Sequence, residues 1–273
     1  MTLSNRQFTS VGRSEFIAVE ENVKLHVIDL GEGPTVVLIH GWPLSNAMYE
    51  YQYQFLVAKG YRVIGITLRG FGKSDKPFGP HNYDIFAEDI KIVLETLNVE
   101  DALLGGFSMG GAISIHFAAK YAGAHINKLA LFGAAAPIWS EAEAVNGLID
   151  LSVTNRPQLL ENFGKIFGAS ETAISAPLAG WLGGINVEAS FYATTQCLIA
   201  LRDEDLREDL GKINVPTAIF HGTKDIICGF HLAEQMHAGI SDSYIVKFEN
   251  SGHALFIEEL EKFNSELLAF LTK

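Results

Sequence analysis

The chain has little of what would mark it as a nucleic-acid binder, a membrane protein or a disulfide scaffold. Of its 273 residues, 20 are Lys or Arg against 32 Asp or Glu, a formal charge of −12. With no basic cluster to offset phosphate repulsion, an extended nucleic-acid surface is excluded. Cysteine is nearly absent. Cys197 and Cys228 are expected to stay reduced in the core or a pocket, and two distant thiols cannot supply a zinc cluster. No run of 18 apolar residues occurs, and the polar stretch Met1 to Arg13 lacks the apolar centre of a signal peptide. A soluble, cytoplasmic protein without a membrane partner is predicted. HExxH spacing, a Walker loop and a GxGxxG turn are all missing, so neither metal nor nucleotide cofactor is expected. There is no internal repeat and no low-complexity tract.

What is present suits one large core or one core with a small appendage: 48 % of residues are apolar and 19 % charged. Phe16 to Val19 and Val23 to Ile28 alternate around Glu21-Asn22, the pattern of a hairpin. Thr35 to Ile39, Arg62 to Ile66, Ala102 to Phe107, Lys128 to Phe132, Thr217 to Phe220 and Tyr244 to Phe248 are short apolar runs, as expected of strands covered on both faces. Between most of them apolar residues recur at helical spacing, as in Phe86, Ile90, Val93, Leu94 and Leu97, and in Leu260, Phe263, Leu267 and Leu271. Alternating strands and helices predict a mainly parallel sheet wrapped by helices, an α/β fold. Residues 137–216 break that rhythm. They hold helical patterns, no clear strand, and the aromatics Trp139, Phe163, Phe167, Trp181, Phe191 and Tyr192. A stretch this long predicts a helical cap inserted in a core made of 1–136 and 217–273. Its aromatics either pack cap on core or line a pocket, and Trp139 and Trp181 are candidate substrate contacts.

The most informative segment is Gly106-Phe107-Ser108-Met109-Gly110-Gly111. A glycine-flanked serine also occurs in ordinary loops, but here an apolar strand feeds into it and a helical pattern, Gly111 to Tyr121, follows. That context predicts a sharp strand-to-helix turn holding the hydroxyl of Ser108 out from the sheet edge. A serine hydroxyl needs a base to take its proton and a third group to orient the base. His253 follows the last predicted strand in Asn250-Ser251-Gly252-His253, and Asp225 follows the preceding one in His221-Gly222-Thr223-Lys224-Asp225. Of nine histidines, His40, His221 and His253 combine a strand end with a nearby glycine; His40 and His221 are read as shaping loops. His26, His81, His116, His125, His231 and His237 lie in hairpin, helix or polar loop contexts. Two donors are also needed for the charge developing on a carbonyl oxygen. The backbone N–H of Met109 is one candidate, and that of Trp42, in His40-Gly41-Trp42-Pro43, the other.

Together, His40-Gly41-Trp42-Pro43-Leu44, Arg69-Gly70-Phe71-Gly72-Lys73-Ser74-Asp75, Gly106 to Gly111 and Gly252-His253 resemble the α/β-hydrolases of the cofactor-free haloperoxidase and aryl-esterase group, from about Gly31 to the C-terminus. The resemblance implies the α/β-hydrolase fold with Ser108 as nucleophile, His253 as base, Asp225 as orienting acid and Trp42 and Met109 as oxyanion donors. It also implies peracid formation from peroxide and a carboxylic acid without metal or haem. Two positions depart from the pattern: Thr67 stands where these relatives usually carry aspartate, and Ala112-Ile113 follows Gly110-Gly111 in place of Gly-Glu. The first expectation is hydrolysis of a small-molecule carboxylic ester, with lactone, amide or carbon–carbon bond cleavage as variants. A ligand-sensing receptor with a vestigial hydrolase site is the alternative of another class.

Overall fold

A computed structural model describes residues 12–121, 124–139 and 142–273; Met1 to Val11 of the polar N-terminal stretch lie outside them. Strands β1 (Arg13–Glu20) and β2 (Val23–Leu30) form the expected hairpin. Then come β3 (Thr35–Ile39), α1 (Glu50–Ala58), β4 (Arg62–Ile66), α2 (Tyr83–Thr96), β5 (Ala102–Phe107), α3 (Met109–Tyr121) and β6 (Ile126–Phe132). Helices α4 (Ala142–Thr154), α5 (Arg156–Lys165), α6 (Ala176–Val187), α7 (Phe191–Asp203) and α8 (Arg207–Leu210) follow without a strand among the described residues. The chain closes with β7 (Thr217–Gly222), α9 (Phe230–Gly239), β8 (Ser243–Phe248), α10 (Leu255–Glu258) and α11 (Leu260–Leu271).

The eight strands form one sheet in the order β1-β2-β4-β3-β5-β6-β7-β8. Pairing is parallel from β4 through β8 and antiparallel at β1, β2 and the β2–β4 seam. All six residues of β5 are buried, which is why its sequence is a continuous apolar run, whereas β1 at the edge exposes alternate side chains. Because the inner strands run one way, the loops leaving β3, β5, β6, β7 and β8 gather at one edge of the sheet, where ligand sites of such folds lie.

Packing explains where helical spacing told only part of the story. In α2 the expected stripe Phe86, Ile90, Val93 and Leu94 is buried, and the Asn82 side chain caps the helix by accepting from the Ile85 N–H at 3.0 Å. In α3 the spacing predicts one buried side, yet Ser114 and Ile115 are buried along with Ile113 and Phe117, because α3 lies against α2 and α8 as well as the sheet. Backbone bonds tie the helices between β6 and β7 to the rest: Ser190 N–H donates to the Gly70 carbonyl at 2.8 Å, and the Phe167 carbonyl accepts from Ala254 N–H at 3.0 Å.

Candidate active site

Ser108 sits between β5 and α3 with φ +53°, a left-handed backbone that costs a non-glycine residue about 1–3 kcal/mol. Neighbouring chain holds it there. Its N–H donates to the Phe132 carbonyl at 2.9 Å, and its own carbonyl accepts from Gly111 at 2.9 Å and Ala135 at 3.1 Å. The flanking glycines are required by close approach. A Cβ on Gly106 would strike the Gly110 carbonyl and the Ser114 hydroxyl, and one on Gly110 would strike the carbonyls of Ile39 and His40. The turn is thereby pressed against the end of β3.

His253 and Asp225 arrive from the ends of β8 and β7. His253 Nδ1 donates to Asp225 Oδ2 at 2.7 Å, and both residues are buried. Asp225 Oδ1 accepts from the N–H groups of Ile227 at 2.9 Å and Cys228 at 2.8 Å, so both carboxylate oxygens are engaged and the ring is held in one tautomer. His253 Nε2 is buried with no hydrogen-bond partner. The imidazole lies against Phe107 at 4.7 Å and Phe167 at 5.6 Å between ring centres. Gly133, at the end of β6, leaves room for the pair: a Cβ there would stand 3.4 Å from His253 Nδ1 and 3.5 Å from Asp225 Oδ2.

Glu258 belongs to this site although nothing in the spacing singled it out. Its two oxygens accept from Gly252 N–H, next to His253, at 2.9 Å and from Ala169 N–H, in the loop after α5, at 2.7 Å. Ala254 N–H donates to the Phe167 carbonyl at 3.0 Å. The histidine loop and the 167–169 loop are thus clipped together, and burial raises the Glu258 carboxyl pKa.

The other strand-end histidines serve loops. His40 Nδ1 donates to the Gly41 carbonyl at 2.9 Å while Nε2 accepts from Leu68 N–H at 3.0 Å; burial pushes its pKa down to about 4. His221 donates to the Cys228 carbonyl at 2.6 Å and lies 3.8 Å from Asp225, with burial lowering its pKa. Thr67, in the place of the usual aspartate, anchors its loop with neutral groups: its hydroxyl accepts from Asn46 N–H at 3.3 Å and its carbonyl from the Ser74 hydroxyl at 2.6 Å.

Met109 is the first residue of α3, so its N–H has no acceptor within the helix. Trp42 follows Gly41, on which a Cβ would come within 2.9 Å of Ser108 Cβ, so the 41–42 turn lies beside the serine. The Trp42 indole donates to the Thr194 carbonyl at 3.0 Å and stands edge-on to Phe163 at 5.0 Å.

A cavity of about 380 Å³ opens between Trp42-Pro43-Leu44 and the α5–α6 region, walled by Leu160, Phe163, Phe167, Leu182 and Asn186. Its lining holds neither Ser108 nor His253, but Phe167, one of its walls, packs against the His253 ring. Trp139 and Trp181, the substrate contacts expected from the sequence, do not line it either. Trp139 donates to the Ile227 carbonyl at 2.9 Å beside the Asp225 turn. Trp181 lines a separate groove with His26, Lys73 and Glu188. Successive helical residues point about 100° apart, so Leu182 and Asn186 face the cavity while Trp181 turns away. Among the described residues no cluster of His, Cys, Asp and Glu could hold a metal ion, and no helix is long and apolar enough to cross a membrane.

Comparison with known proteins agrees with this architecture. Residues 34–173 match the family described as alpha/beta hydrolase fold. The chain is 44 % identical to the AB hydrolase superfamily protein YisY of Bacillus subtilis, over 93 % of this chain and 98 % of that protein. Among solved structures it is similar to an esterase from Exiguobacterium antarcticum (41 % identity, TM-score 0.92, covering 96 % of this chain and 100 % of the other). It is also similar to a bromoperoxidase from Bacillus anthracis (32 % identity, TM-score 0.92, covering 96 % and 100 %). The chain belongs to the α/β-hydrolase family, in the group of esterases and haloperoxidases.

Proposed function

We propose that this hydrolase cleaves carboxylic esters of small molecules through an acyl-enzyme on Ser108. Ser108 Oγ attacks the ester carbonyl as His253 Nε2 takes its proton; Asp225 holds the ring and balances the imidazolium. The negative oxygen of the tetrahedral intermediate is held by the N–H groups of Trp42 and Met109. The ester C–O bond breaks, the alcohol leaves with the proton from His253, and water, activated by the same nitrogen, releases the acid. The observation that carries this reading is the buried, unpartnered Nε2 of a histidine fixed by Asp225 at 2.7 Å, on the sheet edge where Ser108 is held at φ +53°. Helices in residues 137–216 act as a cap that contributes most of the substrate cavity. Turnover of p-nitrophenyl acetate and butyrate should be measured for wild type and Ser108→Ala. Loss of about 10⁴-fold or more in kcat with an intact fold is expected, and retained turnover would remove Ser108 from the mechanism.

Similarity to a bromoperoxidase supports a second activity of the same acyl-enzyme. Hydrogen peroxide in place of water would release a peracid, which passes an oxygen atom and its proton to bromide, giving hypobromous acid and the carboxylate. Acetate, peroxide and bromide with a chlorodimedone reporter should give slow bromination that persists with a chelator and disappears in Ser108→Ala. Esterase turnover without any bromination would reject this activity alone.

A further inference from the structure

The wall of the cavity beside the site is apolar where Leu160, Phe163, Phe167, Ile174 and Leu182 face it. Its charged members lie outward: Glu161 and Lys165 pair with each other at 2.7 Å with more than half of each side chain exposed, and Glu171 is exposed. Asn186, in the last turn of α6, is different. It lines the cavity, is only 9 % exposed, and its Oδ1 is buried without a hydrogen-bond partner. Buried polar atoms are almost always paired, so an unpaired Oδ1 on a residue of the cavity wall marks a carboxamide that a ligand atom can complete once it turns toward the cavity.

The terminal torsion of asparagine is broad, so the carboxamide can turn either oxygen or nitrogen toward a ligand. A hydroxyl both donates and accepts and pairs with either end. A carboxylate would meet two rim carboxylates against one lysine, and a plain hydrocarbon would leave the amide unpaired. We propose that Asn186 determines specificity, and that the ester limb entering this cavity is a mid-sized apolar group bearing a hydroxyl. This inference rests on the esterase reading and names the substrate class of that same site.

Matched esters test it: ethyl 6-hydroxyhexanoate against ethyl hexanoate for the acyl limb, and 6-hydroxyhexyl acetate against hexyl acetate for the alcohol limb. Wild type should favour the hydroxylated member of one pair by roughly tenfold or more in kcat/KM. Asn186→Leu should bring that ratio to one or below, and Asn186→Asp, which keeps an acceptor, should retain a preference. The ratio is internal to each variant, so partial loss of active protein does not alter it. A wild-type ratio at or below one in both pairs overturns the proposal, as does a ratio that survives Asn186→Leu. If no ester is turned over, the esterase reading fails separately, and calorimetry on Ser108→Ala decides the inference. Tighter binding of 1,6-hexanediol than of 1-hexanol, lost on adding Asn186→Leu, supports it; equal binding overturns it.

Discussion

The turn that carries Ser108 and the helix that walls the cavity are both rich in glycine, and the glycines do opposite things. In the turn, a Cβ on Gly106, Gly110 or Gly111 would run into backbone or a packed side chain, whereas Gly180, Gly183 and Gly184 of α6 have nothing within 4 Å of where a Cβ would stand. One set lets three strand ends approach each other; the other leaves α6 thinly packed and low in helix propensity. Ser108 therefore sits on a tightly packed part of the fold, and the cavity wall on a part with room to change. Chemistry and selectivity should be separable by mutation along this line.

The largest effect is expected at the rigid end. Asp225→Asn should cost roughly 10³ to 10⁴ in kcat, because His253 loses its tautomer and the charge that balances imidazolium, with little change in KM. Near-normal turnover would move the acid role elsewhere and break the comparison at its strongest point. Next comes a pH effect to which this end contributes. His40, whose carbonyl packs on Gly110, has its pKa pushed to about 4 by burial, against an unfolded value of about 6.5. The folded state refuses a proton that the unfolded state takes. Stability from this group is complete above about pH 6.5 and is lost as pH falls toward 4, by roughly 3 kcal/mol. Urea unfolding across that range should show the loss, and His40→Asn should reduce it, leaving the share of the other histidines whose pKa burial lowers, His221 among them. Helix α6 contains no titratable side chain and should add nothing to the slope.

Gly110→Ala should destabilise by about 1–3 kcal/mol through overpacking and slow ester turnover, since Ser108 must shift with the turn. Gly180→Ala, in open space on α6, should do the reverse: about 1 kcal/mol of added stability, a rise in Tm of about 2–4 °C, and wild-type kcat on acetyl esters. If both alanines destabilise alike, the two sets of glycines are not distinct.

The same contrast explains what could be read from the sequence. The bounds of β3, β4 and β5 fall where the apolar runs fall, since a strand buried on both faces has no reason to alternate. That Ser108, Asp225 and His253 stand at one edge of the sheet was legible because each follows such a run, Ser108 at once and the other two after a short loop, and parallel strands bring their ends to one edge. Trp181 and Asn186 could not be sorted by the same logic. Which side of α6 meets the cavity depends on how it packs on α5 and the 3-10 turn Asn46–Tyr49, and no spacing within α6 encodes that. Glu258 was hidden because Ala169, one of its two partners, is 89 residues away in sequence. The extra burial of α3 likewise comes from α8, which sequence spacing does not place beside it.

The most direct test of the account is the site and rate of covalent labelling by a fluorophosphonate, followed by peptide mapping. The account predicts a single adduct on Ser108, formed stoichiometrically in wild type, much more slowly in Asp225→Asn, and absent in Ser108→Ala. An adduct on another serine, or undiminished labelling of Ser108→Ala with ester turnover intact, would contradict it.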